Sequence, residues 1–395
     1  MKVLKGIKVL ELTQGVSGPF CTMVLGDMGA EIIKIEQPGK GDDSRSFGPF
    51  VHNESAYFMS VNRNKKSLAL DLSKKEGIQI FQQLVKEADI FVENYIPGTM
   101  QRLGIGYSHV KAINERIIYC SISGYGQDGP LSEKPAYDAV IQAMSGIMSI
   151  TGQSDGQPTR VGAPVGDMTA ALYGAIAIMG ALYKRETTGV GDRLDIAILD
   201  SQVSVLENAI VRYDVLGEVP ELIGNRHASI VPFETFMTRN NHIMVAIGNN
   251  RMWVDFCKLV KREDMINDYR FSTNKKRLEY YHELKPILNK VFIEHTTEEW
   301  QRKLDDVKIP NSPINSIDKL FGNEQIKARK MLMDITHDKG GRITAPSSPI
   351  RFSSDDGPQN VSAPLLGQHT KELLREKLFM EEKEIDNLIK EGIIQ

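Results

Sequence analysis

Cysteine is scarce in this 395-residue chain, with Cys21, Cys120 and Cys257 far apart and no C-x-x-C pair. That excludes a disulfide framework and a thiolate metal site, and it fits a reducing, cytoplasmic setting. An excess of either charge is also missing: 48 Lys and Arg stand against 51 Asp and Glu, a formal net charge of -3. Bulk nucleic-acid binding needs a strong positive field, so no nucleic-acid partner is expected. The longest apolar stretch, Met168 to Tyr183, holds 16 residues. It falls short of the ~20 needed to cross a bilayer, reads as a buried helix, and no membrane partner is expected. The start, MKVLKGIKVLEL, has no apolar h-region of a signal peptide. Several motifs are lacking too: no G-x-x-x-x-G-K-[ST] for phosphate cradling, and no G-x-S-x-G for a serine nucleophile. The first turn, Gln14-Gly15-Val16-Ser17-Gly18-Pro19, has glycines without the G-x-G-x-x-G order of a dinucleotide site. Glu36 does close the second strand where a ribose-binding acid would sit, yet a dehydrogenase is disfavoured.

What is present is the balance of a globular protein, 41% hydrophobic and 25% charged. The first 125 residues alternate strand and helix. Strands are expected at Ile7–Leu12, Glu31–Glu36, Ser67–Leu72, Ala88–Glu93 and Ile117–Ser123, with helices at Gly18–Gly29 and Lys74–Glu87. Such βαβ repetition predicts an α/β fold with a parallel sheet covered by helices on both faces. A further strand is expected at Arg193–Leu199. Character changes at the Gly/Pro/Asn-containing connection Gly217–His227, after which a smaller α+β unit runs to about residue 320. It should hold a strand at His242–Ile247 and helices at Met252–Val260 and Thr297–Leu304, before the polar SSDDGPQNVSAP stretch and a helical tail. The divisions are therefore 1–220, 221–325 and 326–395.

Two clusters invite chemistry. Lys34, Lys40, Arg45, Arg63, Lys65 and Lys66, with Arg102 later, stand among turn formers and suit a phosphorylated ligand as a group. The pattern Val161-Gly162-Ala163-Pro164-Val165-Gly166-Asp167-Met168-Thr169 puts Asp167 between a Gly/Pro loop and the apolar helix. Asp at that place reads as an N-cap accepting backbone N–H groups. It also reads as a carboxylate kept ionised by the helix dipole, a competent nucleophile toward an activated acyl group. The residues alone leave both open. His227, in Gly224-Asn225-Arg226-His227-Ala228-Ser229, is the one histidine in a plausible active-site loop.

The sequence resembles the family III coenzyme A transferases, the formyl-CoA and carnitine-CoA transferase group. The likeness rests on eight stretches in order: LKGIKVLELTQGVSGPF, LGDMGAEIIKIEQPGKGDDSR, NRNKKSLALDL, FVENYIPGTMQRLG, SISGYGQDGP, AYDAVIQAMSG, GAPVGDMTAALYG and APLLGQHT. It implies a large doubly wound, Rossmann-like domain built from both chain ends, a small middle domain, and an interlocked homodimer. It places the family's nucleophile on Asp167, with acyl-CoA and a small carboxylic acid as substrates and no tightly bound cofactor or metal. Nucleotide contacts transfer onto Leu70, Asn94, Tyr95 and Arg102. Gln37 and Ser73 stand where formyl-CoA transferase has basic contacts, Val16 where it has glutamine, and Phe47 where it has tryptophan. Its tetraglycine loop is replaced by residues 225–230, and these departures argue against formyl and oxalyl substrates. Within the family, GDDSRSFGPF, SVNRNKKS, FVENYIPG, IIYCSISGYGQ and HASIVPF resemble the succinyl-CoA–glutarate transferases, implying a dicarboxylate acceptor. Arg226, His227 and Ser229 are the candidates for its distal carboxylate.

A rival on the same fold is an α-methylacyl-CoA racemase, which moves a proton. Those enzymes are similar in the Ala136-Tyr137-Asp138 motif but have histidine at the place of Tyr137. An ordinary phenol, with a pKa near 10, is a poor base near neutrality. Tyr137 therefore favours the transferase.

Overall fold

The computed structural model describes residues 2–354, 357 and 361–395. Part of the polar stretch expected before the C-terminal helices lies outside the described residues. Six strands make the main sheet: β1 (Lys8–Leu12), β2 (Glu31–Glu36), β3 (Lys65–Ala69), β4 (Ile90–Glu93), β5 (Ile118–Ser123) and β6 (Arg193–Ala197). Their order is β3-β2-β1-β4-β5-β6, and every neighbouring pair is parallel. Side chains alternate across the pleat, so Val9, Ile32, Ile90 and Cys120 enter one core. Leu10, Ile33, Phe91 and Tyr119 enter the other. Helices Ser17–Asp27 and Val165–Thr188 close the first core, through Leu25, Ala171 and Ile178. Helices Lys75–Val85, Thr370–Leu378 and Glu382–Lys390 close the second, through Phe81, Leu373 and Ile385. Strands covered on both faces are apolar on both, which is why IKVLEL and IIYCSIS show no in–out alternation in sequence.

The strand order reverses between β1 and β4, and in open α/β sheets ligands bind outside the carboxyl ends of strands at such a reversal. The expected strand Ser67–Leu72 starts earlier, at Lys65, because that lysine is buried against an internal acid. Two consecutive lysines read as a turn, since lysine is almost never fully buried without a partner.

The chain forms two compact units. Met1–Ile147, Arg160–Gly217 and Gln325–Gln395 make the first, and Met148–Thr159 with Glu218–Glu324 make the second. The short segment 148–159 carries no periodic pattern to mark its place. A backbone bond from Gly224 N to Gly152 O (3.0 Å) ties it into the second unit, and one from Thr159 N to Thr151 O (2.8 Å) closes the segment on itself. That unit holds an antiparallel sheet of Phe233–Met237, His242–Ala246 and Asn311–Pro313. Phe236 stacks on Phe292 at 4.3 Å in its core, beside Trp253, Phe256 and Trp300.

The apolar run does not form a buried 16-residue helix. The helix spans Val165–Thr188, 24 residues, and only one face, with Ala170, Ala171, Gly174, Ala175 and Ile178, is buried. Leu172, Ile176 and Tyr183 are 45%, 59% and 80% exposed. A run apolar on every side carries no period from which its open face can be read.

Candidate active site

The turn after β1 is built around Gly15, whose φ of +74° is a left-handed conformation that favours glycine. Its amide donates to Asp42 Oδ1 (3.1 Å). Next to it, Gln14 N donates to Asn94 Oδ1 (2.8 Å), Asn94 Nδ2 to Gln14 O (2.8 Å), and Gln14 Nε2 to Tyr95 OH (2.8 Å). The turn holding Val16 and the β4 end holding Asn94 and Tyr95 are thus stapled together at the strand-order reversal. Val16 is buried against the start of helix Ser17–Asp27.

The other candidate nucleotide contacts scatter around this crevice. Leu70 is only 1% exposed and packs in the core, and its amide donates to Glu36 O (2.8 Å). Gln37 is exposed, and its carbonyl accepts from Gly41 N (2.9 Å). Arg102 is exposed, with Nη2 donating to Thr99 Oγ1 (2.9 Å) and no carboxylate in reach among the described residues.

The remaining basic cluster is a correction to the phosphate reading. Lys34 pairs with Glu11 and Asp42 (both 2.9 Å), and Lys65 pairs with Glu11 (2.9 Å), all four side chains fully buried or nearly so. Arg45 pairs with Glu36 (2.7 Å), Arg63 with Asp27 (2.6 Å), Lys40 with Asp43 (2.8 Å) and Lys66 with Glu372 (2.7 Å). Lys34, Arg45, Arg63 and Lys65 are consumed inside the first unit, while Lys40 and Lys66 pair at its surface. Glu36 is spoken for as well, since Ser67 Oγ also donates to it (2.6 Å), which removes it as a ribose acid.

Asp167 is not the N-cap that its position suggested. The helix begins at Val165 with Pro164 as its cap residue and no side-chain cap, and Asp167 is the third helical residue. The capping is done by Asp138, which opens helix Asp138–Ser145: its Oδ1 accepts from Gly166 N (2.8 Å) and Asp167 N (3.2 Å). Among the described residues no donor bonds to the Asp167 carboxylate. Burial, and then the negative charge of Asp138, push its pKa up to about 7. The helix dipole does favour the ionised form, by ~0.3–1 kcal/mol, but here it is outweighed. The carboxylate is not held firmly ionised, as the dipole alone would predict; it titrates near neutrality.

Tyr57 was not singled out by sequence. It lies on the short helix Ala56–Val61, with Phe47 edge-on to its ring at 5.7 Å. Burial, followed by the charges of Asp167, Asp138 and Asp42, raises its phenol pKa. Phe47, Tyr57, Asp167 and Asp138 are thereby gathered, and Asp42 joins them to the Gly15 turn. A tyrosine among apolar neighbours gives no sequence signal of such a place. Tyr137 is 81% exposed as the residue before helix Asp138–Ser145.

Arg226, His227 and Ser229 all lie in the second unit. Arg226 lines an open hollow of ≈ 580 Å³ with Glu234, Tyr281 and Lys285, its guanidinium 4.4 Å from the centre of the Tyr281 ring. His227 Nδ1 accepts from Ser229 N (3.0 Å) and Ile230 N (3.1 Å), and the ring stacks on Phe233. That nitrogen is a loop organiser. Among the described residues no group of three His, Cys, Asp or Glu is placed to hold a metal ion.

The family model described as CoA-transferase family III matches residues 4–370. The chain belongs to this family. It is similar to the succinyl-CoA:glutarate CoA-transferase of Mus musculus, 41% identical over 100% of this chain and 91% of that protein. It is also similar to the acetyl-CoA:oxalate CoA-transferase of Acetobacter aceti, 37% identical over 94% of this chain and 95% of that one. Among solved structures, a CAIB/BAIF family protein from Brucella suis matches with a TM-score of 0.84 and 34% identity, covering 95% of this chain and 99% of that chain. This protein is an enzyme of the CoA-transferase class, acting on CoA thioesters.

Proposed function

We propose that the enzyme moves CoA from succinyl-CoA to a dicarboxylic acid such as glutarate, with Asp167 as the nucleophile. The observation that carries the reading is the Asp167 carboxylate: half-buried, without a hydrogen-bond donor among the described residues, and pushed up to about 7 by desolvation and the charge of Asp138. A carboxylate left without donors is a stronger nucleophile than one that is solvated or capped.

A carboxylate oxygen of Asp167 attacks the thioester carbonyl carbon of the donor. The C–S bond breaks, CoA leaves as thiolate, and a mixed anhydride remains. The thiolate then attacks Cγ of Asp167 and expels the donor acid, leaving an aspartyl-CoA thioester. The acceptor carboxylate attacks the same Cγ, the C–S bond breaks and CoA leaves again as thiolate, and a second mixed anhydride joins the acceptor to Asp167. The thiolate then attacks the acceptor's acyl carbon and frees the Asp167 carboxylate. No proton is gained or lost, and each step exchanges acyl groups of comparable transfer potential. No metal or resident cofactor enters the sequence.

Val16, Leu70, Asn94, Tyr95, Gln37 and Arg102 are the proposed CoA contacts, with Arg102 the cation left for phosphate. Phe47 and Tyr137 are proposed to meet the acyl groups. For the acceptor's distal carboxylate, Arg226 is the proposed partner ahead of His227 and Ser229, because its guanidinium has no carboxylate partner among the described residues. The exposed apolar side chains of helices Val165–Thr188 and Glu207–Leu216, among them Ile176, Val211 and Val215, support a homodimer. The large unit, with both chain ends, is proposed to bind CoA, and the cytoplasm is the proposed compartment. The names of the relatives support the substrate pair.

The test is an acceptor screen with succinyl-CoA and purified enzyme, scoring acyl-CoA products by mass. Transfer to glutarate or another dicarboxylate is the expected result. Failure with every dicarboxylate, with transfer to monocarboxylates intact, would overturn the substrate proposal.

A further inference from the structure

The Gly166-Asp167 pair sits in a frame that the nucleophile assignment leaves unexplained. Asp138 is 8% exposed, and every polar contact it makes faces that frame. Oδ1 accepts the amides of Gly166 and Asp167, and Oδ2 accepts from Gln142 Nε2 (2.6 Å). Gln142 is itself fixed, since its Oε1 accepts from Val161 N (2.8 Å) at the head of the same loop. One helical turn further on, Ser145 Oγ donates to Gln202 Oε1 (2.7 Å). Gln202 is fully buried, and its Nε2 lies 1.9 Å from where a Cβ on Gly166 would stand. That Cβ would also come within 2.9 Å of Asp138 Oδ1. Glycine precedes Asp167 because no side chain fits between the two.

We infer that Asp138 is a positioning residue for the transfer reaction: it caps the 165–188 helix in place of Asp167, and with Gln142 and Gln202 aims a nucleophile left free of capping bonds. The inference rests on Asp167 being the nucleophile. An acid at a helix start ordinarily spends its oxygens on the free amides of the first turn. Here a second acid, from a neighbouring helix, takes over that duty. Asp167 keeps its position in the first turn while its oxygens stay available to attack a carbonyl. Misplacement of a reacting group by about 1 Å costs on the order of 100-fold in rate, so the frame matters without touching substrate.

The test reads formation of the covalent adduct in the full-length enzyme, by intact mass after mixing with succinyl-CoA without acceptor. Wild type, Asp138→Ala, Asp138→Asn and the double variant Asp138→Asn/Gln142→Glu are compared. The single Asn variant sets its amide against Gln142 Nε2, donor to donor. The double variant restores an acceptor there and still leaves one for Val161 N. We expect Asp138→Ala to slow adduct formation about 30-fold or more, with the KM for acyl-CoA within about twofold. The double variant should be about tenfold faster than Asp138→Asn. Wild-type adduct rates in Asp138→Ala would overturn the inference. So would equal rates in the single and double Asn variants, a comparison that stands even if Asp138→Ala does not fold. Absence of any adduct in wild type would instead overturn the nucleophile assignment, and with it this inference.

Discussion

Two groups of carboxylates in the first unit, both partly or wholly withdrawn from water, are treated in opposite ways. Around Glu11, everything is partnered: Lys34, Lys65, Thr13 and Thr22 all reach its two oxygens. Burial alone would raise its pKa, but Lys34 and Lys65 with the two hydroxyls bring it down to about 2. Lys65, in the same dry site, is lowered to about 8 by burial. Around Asp167 there is desolvation and a like charge, with no cation paired to it and no donor among the described residues, and the carboxyl is raised. Desolvation acts on both, so desolvation alone does not mark a functional carboxylate. The missing partner does. A neutralised buried network fixes the β1–β2–β3 edge and the turn that Asp42 holds; an unneutralised carboxyl stores reactivity.

The sharpest way to break this contrast is Asp167→Ala. Transfer between acids should fall by roughly 1,000-fold or more, while the melting temperature stays or rises, because no cap is lost. A destabilisation of about 1 kcal/mol or more with activity retained would return Asp167 to the role of a structural cap.

Lys34→Met tests the other side. It leaves Asp42 unpaired and Glu11 half-neutralised in a dry site, and should cost about 3–5 kcal/mol in denaturant unfolding. A cost below about 1 kcal/mol would mean that the network is not the structural element described here.

The pH dependence separates the two groups again. Asp167 holds its proton more tightly folded than unfolded. Between its ordinary range near 4 and its folded value of about 7, the folded state therefore binds more protons, and its contribution to stability falls as pH rises. Asp167→Asn should accordingly gain about 1–3 kcal/mol over wild type at pH 8 and nothing at pH 4. In wild type, kcat should drop below pH 7 as the nucleophile is protonated. Glu93, which burial also raises to about 7, titrates in the same range but accepts from Tyr95 N (3.0 Å). An acid limb that persists in Glu93→Gln assigns it to Asp167.

The smallest expected effect is at Arg102, the member of the basic group with no carboxylate partner among the described residues. Arg102→Ala should raise the KM for acyl-CoA about tenfold with kcat nearly unchanged.

The sheet was largely legible, because doubly covered strands such as Glu31–Glu36 and Ile118–Ser123 appear as short apolar runs between helical segments. Asp167 was legible as a position, through the ordered family stretches, but its environment was not. Its capping by Asp138 depends on a residue 29 positions earlier, and long-range pairing leaves no local trace. Part of the basic cluster misled for the same reason: Arg63 and Lys66 have their carboxylates far off in the chain, at Asp27 and Glu372. Tyr57 and Gln202 were silent, since neither stands in a pattern that differs from ordinary core sequence.

The central claim is that Asp167 carries CoA covalently, and one measurement addresses it directly. Enzyme mixed with succinyl-CoA and no acceptor is quenched, digested and mapped by mass. The account predicts a CoA thioester on the peptide containing Asp167, sensitive to hydroxylamine and absent from Asp167→Asn. Transfer that proceeds with no adduct on that peptide would contradict it.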